Sequence, residues 1–154
     1  MNHQAFYRLG NSAFTLLDLL TALGLFAAMA AIAIPNLAAQ LPTYRLNAAA
    51  RQVQSELHRI KSQAVANNTN FRVVFLNPSL YRIERMSGSY QPIGADKALP
   101  DGIIYGNGSA ADISYTPRGT SNSQTIKLCN SRREGKSVIV FGGTGRIRVV
   151  SDPC

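Results

Sequence analysis

The sequence predicts an α+β chain in which a long N-terminal transmembrane α-helix continues into an amphipathic helix packed on an antiparallel β-sheet head. Three observations carry this expectation. Phe14 to Ile34 is an apolar run whose single ionisable side chain is Asp18. Behind it, apolar residues recur at spacings of three and four from Leu46 to Val65, the period of a one-faced helix. From Phe71 onward, short runs rich in Val, Ile, Tyr and Phe alternate with Gly, Pro and Asn turns, the pattern of antiparallel strands.

At ~1.5 Å per residue the apolar run spans about 30 Å, the hydrocarbon thickness of a bilayer. A secretory signal has a shorter apolar region followed by a small-residue cleavage site, which fits less well. Arg8 is the clearly charged residue on the N-terminal side and keeps that side cytoplasmic, so the head is translocated. An ordinary anchor leaves Asp18 unexplained, because a carboxylate near the start of a membrane helix is costly unless it is paired or interfacial. The simplest alternative is an interfacial acid that stabilises the positive end of the helix.

Pro35 and Pro42 are expected to bracket a short interruption, since proline removes a helical hydrogen bond and clashes with the preceding turn. The second helical pattern places Leu46, Ala49, Ala50, Val53, Leu57, Ile60, Ala64 and Val65 on one face and ends near Asn67-Asn68, a pair suited to a C-terminal cap. His58 falls on the surface or boundary and is given no role. Strands are predicted at Phe71–Leu76 and Leu80–Met86, joined as a hairpin through Asn77-Pro78-Ser79, with Ser87–Pro92 as an interruption. Further strands are predicted at Gly102–Tyr105, Asp112–Tyr115, Thr125–Leu128, Ser137–Phe141 and Arg146–Val150.

The chain has 154 residues, which fits one domain and an appendage. Of its 16 Lys and Arg and 8 Asp and Glu, only Arg8 and Asp18 precede Asn36, so the head keeps the whole net charge of +8. Such a surface favours polyanions: nucleic acid, anionic lipid or acidic protein. Plain solubility charge is the competing explanation. If the head lies outside the cytoplasm, Cys129 and Cys154 form a disulfide that ties down the C-terminus. With His3 and His58 far away in sequence, they offer no zinc spacing. No carboxylate pair, Ser-His-Asp set, Cys-His pair or phosphate-binding glycine loop is present, so neither catalysis nor a cofactor is expected. Gly142-Gly-Thr-Gly145 lies between strands and reads as a turn.

The segment Ala13-Phe-Thr-Leu-Leu-Asp-Leu-Leu20 resembles the class III signal of type IV prepilins and pseudopilins. The resemblance implies that a prepilin peptidase cuts between Ala13 and Phe14 and that the new terminus, Phe14, is N-methylated. It also implies that Asp18, fifth after the cut, and Pro35, twenty-second, serve filament assembly. Two departures keep the chemistry: Ala13 replaces the usual Gly, and Asp18 the usual Glu. The carboxylate would meet a neighbouring subunit's N-terminal ammonium in the filament core, removing two unpaired charges together. The implied organisation is a leader over 1–13, a transmembrane and filament-core helix over 14–35, and a periplasmic pilin-like head over 36–154.

Within the head, the helix running into Phe71-Arg-Val-Val-Phe75, then Tyr115-Thr-Pro-Arg-Gly119, then the closing Gly145-Arg-Ile-Arg148 resemble the branch of H-type pseudopilins and T- or U-type minor pilins (GspH/FimT/FimU). In its DNA-binding members a Gly-Arg-x-Arg near the C-terminus carries nucleic acid, and residues 145–148 match it position by position. Side chains at i and i+2 of a strand share a face, ~6.6 Å apart. Arg146 and Arg148 would therefore point outward together, spaced like successive phosphates, while Ile147 packs inward. Arg132, Arg133 and Lys136 follow Cys129 and are expected to extend the patch. Alternating arginines on a solvated strand face are the structural alternative.

Three functions fit. One is a minor pilin at the start or tip of a type IV pilus that binds double-stranded DNA for uptake. Another is an H-type pseudopilin of a type II secretion system, bound to other pseudopilins without DNA. The last is an unrelated membrane-anchored periplasmic binding module. The first two share the expected partners: other pilin or pseudopilin subunits, the prepilin peptidase, and the bacterial inner membrane before assembly. N-terminal and intact-mass analysis of membrane-extracted protein should find a chain beginning at methylated Phe14. A mature chain beginning at Met1 would contradict the prepilin expectation.

Overall fold

A computed structural model describes residues 15–154. Ala13 and Phe14, the expected cleavage site, lie outside the described residues. Helix α1 runs Leu16–Ala66 and is followed by β1 (Phe71–Asn77), β2 (Leu80–Ser87), β3 (Ser89–Pro92), β4 (Lys97–Ala98), β5 (Ile103–Tyr105), β6 (Asp112–Tyr115), β7 (Gln124–Asn130), β8 (Gly135–Phe141) and β9 (Arg146–Ser151). The chain divides into two compact units, a first ending at Ala39 and a second spanning Gln40–Cys154.

The first unit is the apolar part of α1, long and apolar enough to cross a membrane, with Leu19, Leu23, Phe26, Met29 and Ile32 exposed. Its start is a capping box. Thr15 Oγ1 accepts from the Asp18 amide (3.2 Å), and Asp18 Oδ2 accepts from the Thr15 amide (3.1 Å), so two of the helix's unpaired N–H groups are satisfied reciprocally. The expected interruption between Pro35 and Pro42 is absent: α1 is one helix of 51 residues. Each proline removes a single amide from the ladder, and that loss does not end a helix whose other turns stay bonded.

In the second unit the same helix supplies the buried face Leu46, Ala49, Ala50, Val53, Leu57, Ile60 and Ala64. Val65, expected on that face, is 51% exposed; a rotation of ~100° per residue carries it past the stripe that Ala64 occupies. The helix closes in a Schellman turn. Asn68 adopts φ +47°, Thr69 N donates to Ala64 O and Asn68 N to Val65 O.

The strands form two sheets rather than one. A five-stranded sheet has the order β3-β2-β1-β6, with β4 also pairing β2, and a four-stranded sheet has the order β5-β7-β8-β9. All pairings are antiparallel. Ser87–Pro92, expected as an interruption, contains β3, because Gly88 at φ +76° lets the chain reverse so tightly that Ser87 faces Ser89 across the pair. Inward residues of both sheets, among them Val73, Ile83, Ile113, Tyr115, Ile126, Leu128, Val138 and Val140, close one core with the helix. Glu56 sits at its margin between Arg59 and Lys97. Partial burial opposes its ionisation, but hydrogen bonds from both cations prevail and hold its carboxyl below the usual range.

Candidate nucleic-acid interface

Strand β9 forms one edge of the four-stranded sheet. Its residues alternate: Arg146 and Arg148 are exposed, while Ile147 is buried and packs with the core. The two side chains therefore leave the strand on the same outer face, from backbone positions ~6.6 Å apart. Neither makes an ion pair among the described residues, and the same is true of Arg118. Four of the head's carboxylates are engaged elsewhere, Glu56 by Arg59 and Lys97, Glu84 by Arg72, Asp96 by Arg82 and Asp152 by Lys127. Among the described residues Arg118, Arg146 and Arg148 are thus left without a carboxylate in an ion pair, and their charge stays available to an outside anion.

The turn that launches β9 is built against two other elements. Lys61 on α1 donates from Nζ to Thr144 O (2.9 Å) and Gly145 O (3.2 Å). Gly145 has φ +59° and Gly119 has φ +75°. A Cβ at Gly145 would collide with Gly119 O and lie 3.3 Å from both Tyr115 Cε1 and Lys61 Cε. Only a glycine allows this backbone approach. Ser121 O and Ser123 Oγ accept from the Gly143 and Gly142 amides, fastening the same turn to the chain that leads into β7. The Thr116–Thr120 turn, closed by the Thr116 amide on Thr120 O, therefore lies against the β8–β9 turn. Arg118 and Lys61 join the neighbourhood of Arg146. Their separation in sequence hid this, although the paired Pro-Arg-Gly119 and Gly145-Arg spacing was visible. Tyr115 beneath them is fully buried, its hydroxyl has no partner among the described residues, and burial pushes its ionisation upward.

Arg132, Arg133 and Lys136 do not extend this patch. Arg132 and Arg133 occupy the β7–β8 turn, which Asn130 shapes by accepting the Arg132 and Glu134 amides on Oδ1 (2.9 and 3.0 Å). Successive hairpin turns of an antiparallel sheet lie at opposite ends, and β8, with seven residues, places these cations about 20 Å from Arg146. Lys136 is inside β8, with the parity of the inward Val138 and Val140, and lies beside Thr43, Leu46 and Asp152. The Cys129–Cys154 disulfide is present, with Cα atoms 6.0 Å apart. It draws the C-terminal tail onto the outer face of β7 and β8, where Asp152 N donates to Gly135 O and Cys154 N to Arg133 O. The Ser137 hydroxyl and then Lys127 hold the Asp152 carboxyl below its usual range. Among the described residues no cluster of His, Cys, Asp and Glu fits a metal ion.

The profile of the family described as type II transport protein GspH matches residues 49–145, from the buried face of α1 to the glycine before Arg146. The minor pseudopilin EpsH from the type 2 secretion system of Vibrio cholerae is similar in structure at 12% identity and a TM-score of 0.59, covering 70% of this chain and 97% of that one. The type IV minor pilin FimU of Pseudomonas aeruginosa is similar at 16% identity and a TM-score of 0.55, covering 68% and 92%. No curated protein sequence matches the chain.

Gly145→Ala should lower the unfolding free energy of the full chain in detergent by about 2–5 kcal/mol, ~1–2 from the left-handed backbone and ~1–3 from overlap with Gly119. Gly143→Ala should cost only the ~1–2 kcal/mol of its positive φ, since a Cβ there meets nothing within 4 Å. Denaturant titration compares the two; equal losses would contradict the turn-to-turn contact.

Proposed function

The chain belongs to the family of type II transport protein GspH, and we propose that within it this chain is a minor pilin of a type IV pilus, incorporated at the start or tip of the filament, that binds double-stranded DNA without sequence preference. The observation that supports DNA binding is the outward pair Arg146 and Arg148, exposed and without an ion pair among the described residues, near the Thr116–Thr120 turn that carries Arg118. Guanidiniums at that spacing suit neighbouring phosphates, and phosphate contacts carry affinity without reading bases. The exposed apolar part of α1 anchors the subunit in the inner membrane before assembly and packs against other subunits afterwards.

Processing follows from the leader: a prepilin peptidase removes residues 1–13, and Phe14 is methylated. Asp18 then exchanges its contacts with Thr15 for a neighbour's terminal ammonium, and Pro35 lies in the same packed helix. The subunit is a substrate of these enzymes and catalyses nothing itself. The family description and the likeness to EpsH favour a second reading, an H-type pseudopilin of a type II secretion system whose head contacts other pseudopilins.

Fluorescence anisotropy of the full chain in nonionic detergent with labelled duplex DNA separates the two. Binding should be in the micromolar range and fall steeply with salt, and each lost arginine should reduce the log–log slope by about one. Arg146→Gln/Arg148→Gln should abolish it. Arg45→Gln should matter little, since Arg45 donates to Asp101 O on another part of the head. No binding at low salt, or full binding by the double variant, would leave the pseudopilin reading.

A further inference from the structure

The outer face beside Arg146 and Arg148 is not uniformly cationic. Across the β8–β9 pair, Phe141 is opposite Arg146 and Ile139 is opposite Arg148. Directly paired residues of an antiparallel ladder project from the same face. An apolar row therefore runs parallel to the arginine row, one strand spacing of ~5 Å away. Phe141 is 42% exposed, and Ile139 is half-buried. On the next strand Thr125 continues the row beside Ile139.

The other end of this face is closed. Ser137, on the same parity as Ile139 and Phe141, is only 2% exposed. The tail covers it, with Ser137 Oγ donating to Asp152 Oδ2 at 2.6 Å and Cys154 bonded to Cys129. The open part is thus a small platform bounded by the tail on one side and by the Gly142–Gly145 turn on the other. A lone exposed Phe is ordinary on protein surfaces. Phe141 differs in its register, a partly exposed aromatic ring directly across from Arg146, which like Arg148 makes no ion pair among the described residues.

We propose that this platform takes single-stranded DNA in preference to duplex, with Phe141 as the surface on which an unpaired base stacks while Arg146 and Arg148 hold the flanking phosphates. The proposal rests on the DNA-binding reading above and adds to it a preferred form of the nucleic acid, with duplex bound more weakly through the arginines alone. A duplex hides its base faces inside its own stack and offers the arginines phosphates alone. A single strand offers the phosphates and a free π-face within the span of one nucleotide. Combining a cationic track with an aromatic platform is the general means of holding single strands without reading sequence.

The test is fluorescence anisotropy of the full chain in nonionic detergent with one labelled mixed-sequence oligonucleotide, alone and as its duplex, over a salt series. The wild type should bind the single strand about tenfold more tightly, the contribution of one stacked base, and the advantage should persist at high salt because stacking releases no counterions. Phe141→Ala should bring the single-strand to duplex ratio to about one, and Phe141→Trp should restore or raise it. The Trp variant also guards against a folding defect, since it keeps the ring and the packing. Equal affinity for both forms in the wild type, or a ratio that Phe141→Ala leaves unmoved, overturns the platform while leaving duplex binding intact. Absence of binding to either form overturns the DNA reading itself.

Discussion

The contact between the backbones of Gly119 and Gly145 determines where the head presents its unpaired charge. Two turns that are distant in sequence meet there, both with positive φ, and a side chain at Gly145 would run into the Gly119 carbonyl. Lys61 completes the junction by donating from the helix to two carbonyls of the second turn. Its ammonium gives both carbonyls a charged donor at the loop tip, a stronger tie than a neutral hydrogen bond supplies. With the turn held on three sides, β9 starts at a fixed point and its alternation is set. Ile147 enters the core, and Arg146 and Arg148 project from the face opposite.

Electrostatics follow from this placement. The head's ion pairs occupy α1, the first sheet and, through Lys127 and Asp152, the tail side of the second sheet, whereas at the end of that sheet near Gly145 the arginines make no ion pair among the described residues. An edge strand exposes unpaired N–H and C=O groups, and outward charges also discourage pairing with a stray strand. The two roles are compatible: a charged edge that resists aggregation is equally an edge that attracts a polyanion. The disulfide contributes by confining the tail to the far end of the face. The tail is thereby kept off Phe141 and the arginines.

Much of this was legible in the sequence because it depends on local periodicity. The period of α1's buried face, the Asn68 cap and the alternation of Arg146, Ile147 and Arg148 follow from backbone geometry that neighbouring residues share. The misjudged points depend on context. Pro35 and Pro42 suggested a break, but a long helix absorbs the loss of two amides. Ser89–Pro92 lacks a strand's composition and becomes one through the tight reversal at Gly88. Arg132, Arg133 and Lys136 are near Arg146 along the chain, yet a hairpin carries them to the opposite end of the sheet. Lys61 and Arg118 are far away along the chain and are brought close by the meeting of the two turns. Charge counts along a sequence do not register either effect, since both arise from topology.

The most direct measurement is a map of amide chemical-shift changes on isotope-labelled full chain in detergent micelles as DNA is added. The account predicts that shifts concentrate at Arg118 and Gly119 together with Phe141 and Arg146–Arg148, and that Arg132, Arg133 and Lys136 stay in place. Shifts centred on the β7–β8 turn, or spread evenly over every exposed cation, would contradict it.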